Sequence, residues 1–315
     1  MMVVNPQATT TSPRVTDVII RALSHDYDLE VTVTNHRGHA FALGEYAIEE
    51  GIPLVFTLGG DGVINEVING LLSHGPHDVV VAPIPGGSGN VFARALGLPT
   101  DPVEATGAIL ECLRDNSLTH INVGHVHAIR PDGSELDRYF VANAGLGLDA
   151  RIIAAMEKAR SAGQKASPQR YLATTIREFF RHNRESAPSL EITRPGSTPV
   201  SNISVALIQN SSPWTFFGSW ALDPNPGASF FTGLDVFMVR RLNVIATVGA
   251  ATKIITRARG GTRRNSYTAW HDQREFTAQS ELPVPLQIDG EGLGEVSTAH
   301  FSSRRHSVTT IHLSK

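Results

Sequence analysis

The chain has 315 residues, 41% of them hydrophobic and 18% charged, with a formal net charge of −3. This is the composition of a folded globular protein long enough for two domains, and its slight acidity argues against a general nucleic-acid binder. A single cysteine, Cys112, excludes an internal disulfide and suits a reducing compartment, and no apolar run is long enough to cross a bilayer.

The N-terminus enters a strand at once, without the basic segment and apolar core of a leader, so the expectation is a soluble, cytoplasmic protein. Strand-like runs at residues 1–5, 30–34, 53–58 and 79–84 alternate with helical periodicity at 14–24, 38–50, 63–72 and 103–114. That alternation predicts a doubly wound α/β domain with a mainly parallel sheet.

Two glycine-rich loops stand at the carboxyl ends of consecutive strands in this half. Gly59-Gly60-Asp61-Gly62 leads into a helix with Val63, Ile64, Val67 and Ile68 on one face, and Pro85-Gly86-Gly87-Ser88-Gly89-Asn90 precedes a second helical run from Val91 to Leu96. Glycine leaves no Cβ in the way, so backbone N–H groups and a helix dipole can converge on an anion. One such loop alone reads as a tight strand-to-helix turn; two at the ligand-binding edge of an open α/β sheet read as a phosphate cradle. Asp61 is the odd member, because a carboxylate beside phosphates calls for an intervening cation such as Mg²⁺ or a proton-transfer role.

From His120 the pattern changes to alternating strands at 121–129, 138–142, 190–193, 203–209 and 234–239, with turn-rich links and helical insertions near 149–183 and 242–258. Residues 161–168 break the first insertion, and the last run, 308–313, could pair with either domain. Asp289-Gly290-Glu291 follows an apolar strand at 284–288; Asp-Gly is a common turn dipeptide, and a carboxylate at a strand end can also accept a proton. Residues 212–220 form a loop-like stretch carrying Trp214, Phe216, Phe217 and Trp220, which can fill core or make a membrane-facing lip. Between Arg151 and Glu185 eight basic residues face three glutamates, and Arg257, Arg259, Arg263 and Arg264 form a second cluster. These are solvated helix faces or surfaces drawn to an anionic membrane. His125 and His127 alternate on one strand and face the same side, too few for a metal site.

The strings GGDGVINEVINGLL, PGGSGNVFARALGLP, NAGLGLDARII and IDGE resemble the bacterial diacylglycerol kinase and lipid kinase family, related to the eukaryotic diacylglycerol and sphingosine kinases. The likeness runs from Val3-Val4-Asn5-Pro6 to the C-terminal strand. It implies an N-terminal α/β domain of the NAD kinase and phosphofructokinase type at residues 1–120, completed by 300–315. A C-terminal β-sandwich domain with helical insertions would occupy 121–299 and take the lipid. The implied activity is transfer of the γ-phosphoryl of ATP to a lipid hydroxyl, diacylglycerol giving phosphatidic acid, with the protein meeting its substrate peripherally at a membrane surface. A homodimer is compatible with this reading. A soluble-substrate kinase such as an NAD kinase, and a degenerate kinase that binds without turnover, are the alternatives.

Carried over position by position, the resemblance implies nucleotide contacts at Asn5, Pro6, Thr9, Thr34, Gly59, Gly60, Asp61, Gly62, Asn65, Glu66, Gly86, Gly87, Ser88, Gly89 and Asn90, with Mg²⁺ near Asp61. It implies Glu291 as proton acceptor with Asp289 beside it. The chain departs from the pattern at Val63, Val91 and Asn122, where the family usually has threonine, aspartate and aspartate. The segment usually rich in metal-binding aspartates reads Phe230-Phe231-Thr232-Gly233-Leu234-Asp235, so no structural metal is expected there.

Overall fold

The structure is a computed structural model that describes residues 1–6, 8, 11–161, 190–240, 254, 263–264 and 267–313. Thr9, the second predicted helical insertion apart from residue 254, Arg257, Arg259 and the basic stretch beyond Ser161 lie outside the described residues. The chain divides into two units, Met1–Val123 with Arg305–Lys315, and Gly124–Arg304.

The first unit alternates β1 (Met2–Val4), α1 (Pro13–Asp26), β2 (Val31–Val33), α2 (His39–Glu49), β3 (Leu54–Gly59), α3 (Asp61–Ser73), β4 (Val80–Pro85), the short α4 (Val91–Ala95) and α5 (Pro102–Arg114). Its strands run parallel in the order β2-β1-β3-β4. Helices start where the sequence supplies caps: Ser12 accepts from Val15 N ahead of a proline at the start of α1, and Asp101 accepts from Val103 and Glu104 N at α5. Phe56 and Leu58 of β3 pack with Ile19 and Leu23 of α1 and Ile109 of α5, while the alternate residues Val55 and Thr57 are equally buried on the other face. A strand buried on both faces is what a parallel sheet between helices requires. Helices α2 and α3 touch at Gly44 and Gly70, where a Cβ on Gly70 would lie 2.0 Å from Phe41 O. Cys112 is buried in the α1–α5 core.

The chain passes into the second unit within β5 (Leu118–Ile129), followed by β6 (Glu135–Phe140), β7 (Asn143–Gly147) and α6 (Leu148–Ser161). Strands β8 (Leu190–Thr193), β9 (Val200–Ile203), β10 (Val205–Gln209), β11 (Thr215–Phe217), β12 (Trp220–Leu222), β13 (Leu234–Val239), β14 (Arg263–Arg264), β15 (Tyr267–Gln273) and β16 (Glu275–Ile288) come next. β17 (Glu291–Ile311) crosses back into the first unit, where Thr309 and Thr310 pair in parallel with Val80 and Val81 of β4.

The second unit is an antiparallel, β-rich domain in the order β14-β15-β13-β10-β7-β16-β17. β16 pairs with β8 through Thr277–Ser280 and with β7 through Leu286–Ile288, changing partner across an irregular stretch between Gln279 and Val284. Side chains of both halves, among them Phe276, Leu286, Ile288 and Phe301, meet in one core with Ala206 and Ile208 of β10. On the other face of β10, Val205 and Leu207 pack with Leu148, Ile152 and Met156 of α6.

The structure differs from the sequence expectations at several elements. The stretch taken as an aromatic loop is the β11–β12 hairpin, with Phe217 paired to Trp220. The run expected at 203–209 is two strands interrupted at Ser204, whose backbone bonds to Val239 O. The second of the domain's early strands lies at Glu135–Phe140 rather than 138–142, and NAGLG is itself a fully buried strand, β7.

Candidate active site

In the first unit the two glycine loops are built against each other. A Cβ on Gly87 would lie 2.6 Å from Gly60 Cα, and one on Gly86 would lie 3.0 Å from Gly59 N. Asp61 fastens the pair: Oδ2 accepts from Val91 N at 3.0 Å and Oδ1 from Phe92 N at 2.9 Å, the first amides of α4. Asn90 closes the second loop, in the left-handed region at φ 49, by accepting from Gly87 N at 2.8 Å and donating to Gly87 O at 2.7 Å. The N-terminal loop joins them, since a Cβ on Gly59 would meet Asn5 Cβ and one on Gly86 would meet Ala8 Cβ. Asn5, Gly59, Gly60, Asp61, Gly86, Gly87, Gly89 and Asn90 therefore come together, with Gly62 and Ser88 exposed at the rim.

Burial pushes the Asp61 carboxyl up, against the pull of the Phe92 and Val91 amides and the charge of Arg94. Arg94, within the FARALG string, brings a guanidinium whose positive charge acts on Asp61. Val63 and Val91, the departures from the family pattern, are buried apolar side chains. Asn122 is buried and accepts from His306 N at 3.0 Å, joining β5 to β17.

Other residues predicted as nucleotide contacts hold the fold. Glu66 accepts from Gly38 N at 3.0 Å and Ala40 N at 3.2 Å, capping α2, and Asn65 is buried and bonded to Asn69. Thr34 is buried at the end of β2, its amide donating to Val4 O, and Pro6 lies in a turn after β1.

In the second unit the DGE triplet is a two-residue hairpin turn between β16 and β17, with Ile288 paired to Glu291 and positive φ at both central residues, Asp289 (44) and Gly290 (81). That geometry is why the sequence reads Asp-Gly, a pair tolerant of φ > 0 in the turn that matches strand twist. The Asp289 carboxylate accepts from Val141 N at 2.8 Å and from Ala142 N and Asn143 N at 2.9 Å. Asp289 thereby anchors the turn, and Glu291 begins β17 partly exposed.

Behind the turn lies a group that sequence reasoning missed. Asp149, in the first turn of α6, is buried and accepts from Gln287 Nε2 at 2.8 Å; Gln287 Oε1 in turn accepts from Gly290 N at 3.0 Å. Desolvation raises the Asp149 pKa to about 7, with the Gln287 bond opposing it. Gly145 makes room, because a Cβ there would lie 1.9 Å from Asp149 Oδ2. The signal was present in the GLGLD string, where a carboxylate follows two glycines in an apolar run.

Among the described residues no group of three His, Cys, Asp or Glu side chains could hold a metal ion. Asp235 is engaged with His271 Nδ1 at 2.8 Å and Asp272 N at 3.0 Å, and His125 and His127 both bond Asp137 on the neighbouring strand. Of the four aromatics at 214–220, Trp214 is buried and Trp220 is 70% exposed at the hairpin.

Residues 1–126, which contain both glycine loops, match the diacylglycerol kinase catalytic domain. A diacylglycerol kinase of Staphylococcus carnosus is 24% identical over 291 residues, covering 92% of this chain and 87% of its own length. One from Staphylococcus epidermidis is 31% identical over 131 residues, 42% of this chain and 37% of the relative. Among solved structures, a diacylglycerol kinase from Bacillus anthracis superposes with a TM-score of 0.71 at 17% identity, covering 99% of this chain and 96% of that one. Yeast NADH kinase complexed with NADH reaches 0.53 at 12% identity, covering 100% of this chain and 84% of that one. At such identities the structural likeness shows the fold alone.

Proposed function

We propose that the protein is an ATP-dependent lipid kinase that phosphorylates a lipid hydroxyl at a membrane surface, with diacylglycerol as substrate and phosphatidic acid as product. The observation that carries this reading is the pairing of the two glycine loops through Asp61, inside the region that matches the kinase domain. Backbone amides of the loops would bind the phosphates, and Arg94 adds positive charge beside Asp61.

Glu291 would take the proton from the attacking hydroxyl, on a turn whose position Asp289 fixes through three amides. Among the described residues no donor set would hold a metal by protein alone; Mg²⁺ carried on the triphosphate would have Asp61 as its nearby carboxylate. Such an ion would neutralise charge on the phosphate oxygens. Asp149 and Gln287 would keep the Glu291 turn oriented.

The test supplies labelled ATP, Mg²⁺ and diacylglycerol in mixed micelles and identifies the labelled product by mass. Label in phosphatidic acid supports the reading. Glu291→Gln should lower kcat by about 10²- to 10⁴-fold with an unchanged melting temperature. Wild-type turnover in that variant removes Glu291 from the mechanism, and label transferred to NAD but to no lipid replaces the substrate class.

A further inference from the structure

Two arginines of the second unit line one cavity of about 610 Å³, bounded by the turn from β8 to β9, by β15 and by the end of β13. Arg194 is held before any ligand arrives. Its guanidinium lies 4.7 Å over the Trp270 ring, Nε donates to Ser197 Oγ at 3.0 Å and Nη1 to Gln273 Oε1 at 3.0 Å. All these partners are neutral, so they fix the fork without cancelling its charge.

Arg240 enters the same cavity, and its Nε is buried with no hydrogen-bond partner. Thr268 Oγ1, also on the wall, is likewise buried and unpartnered. Buried donors left in this condition cost free energy unless something fills them. Ser197 and Thr198 add hydroxyls, and among the described residues no Asp or Glu lines the cavity. The adjoining cavity across the β8–β9 turn does carry Glu275, so the absence of acid is particular to the Arg240 side. Asp272, between the lining residues His271 and Gln273, accepts from Gly233 N, and Asp235 is bound to His271 and to Asp272 N.

We infer that this cavity is a binding site for a phosphorylated group, separate from the glycine loops of the first unit. Two guanidiniums and up to three hydroxyls offer more donors than a carboxylate can accept, and they match the oxygens of a phosphate ester. The volume exceeds that of bare phosphate, so the occupant is an organic phosphate, either a soluble ester or the headgroup of an acidic phospholipid.

The experiment titrates the full chain with glycerol 3-phosphate by calorimetry, and separately measures sedimentation with phosphatidylcholine vesicles with and without phosphatidic acid. The variants are R240Q, R194Q and T268V. T268V is the folding control, because Thr268 Oγ1 makes no internal bond that the change would break. Wild-type protein should bind glycerol 3-phosphate, R240Q and R194Q should each weaken it about tenfold, and T268V should weaken it severalfold at an unchanged melting temperature. Binding to acidic vesicles alone, lost in the same variants, identifies the occupant as the lipid headgroup. Wild-type affinity for both probes in R240Q and T268V, or binding of neither probe, overturns the site. Neither result depends on whether the protein transfers phosphate.

Discussion

At the scale of single residues, the two carboxylates of the DGE turn separate into different jobs. Asp289 spends its oxygens on the amides of Val141, Ala142 and Asn143, whereas Glu291 opens β17 partly exposed. Asp289→Asn turns one acceptor into a donor facing an N–H, so it should lower the melting temperature and kcat together; loss of activity alone would return Asp289 to the chemistry. Asp149 makes a second, independent prediction. Its folded-state pKa is about 7 against an ordinary carboxylate value of 3.8, so between those pH values the folded chain holds a proton that the unfolded chain has released. Stability is therefore fully present below about pH 4 and is lost as pH rises to about 7, by an amount on the order of 4 kcal/mol. Asp149→Asn keeps an acceptor for Gln287 and cannot ionise, so its melting temperature should stay flat across that window and exceed the wild-type value at pH 8. A parallel decline in both proteins would place the titration elsewhere.

At the scale of elements, the glycines of the two loops serve different ends, and substitution separates them. Gly87 is required by packing: its Cβ would stand 2.6 Å from Gly60 backbone, so Gly87→Ala must part the loops and should cost about 1 to 3 kcal/mol. Gly62 has nothing within 4 Å of its Cβ position and is exposed at the start of α3. Gly62→Ala should leave the unfolding free energy within about 0.5 kcal/mol of wild type. If phosphates rest against that helix start, nucleotide affinity in Gly62→Ala falls while stability holds, a split that equilibrium binding and thermal unfolding together can read. Equal, unperturbed nucleotide affinity in both variants would move the phosphates away from the loops.

For the whole molecule, what the sequence made legible depended on how local the causes were. Strand-helix alternation with caps such as Ser12 and Asp101 is written within a few residues of each element, and the first unit reads accordingly. The second unit was harder: NAGLG is buried on both faces and shows no alternation, and β16 is divided between two partner strands that no local pattern announces. The glycine loops and the DGE turn were visible as motifs, but Asp289's partners lie nearly 150 residues away, and the Asp149–Gln287 bond spans a similar interval. The aromatic stretch shows the same limit, for only the fold separates Trp214, buried with Leu207 of β10 and Phe237 of β13, from Trp220, 70% exposed on its hairpin. No described helix is long and apolar enough to cross a membrane. An exposed indole on a short hairpin suits the headgroup level, with its ring in the acyl boundary and its N–H among polar groups. Trp220→Ala should then reduce vesicle association about tenfold, from the apolar area withheld from the lipid, and raise KM for micellar diacylglycerol without changing kcat. Trp214→Ala, by contrast, should act through stability. If Trp220→Ala sediments with vesicles like the wild type, the hairpin does not touch the membrane, and the acidic-lipid arm of the Arg194–Arg240 experiment tests a separate route to a bilayer.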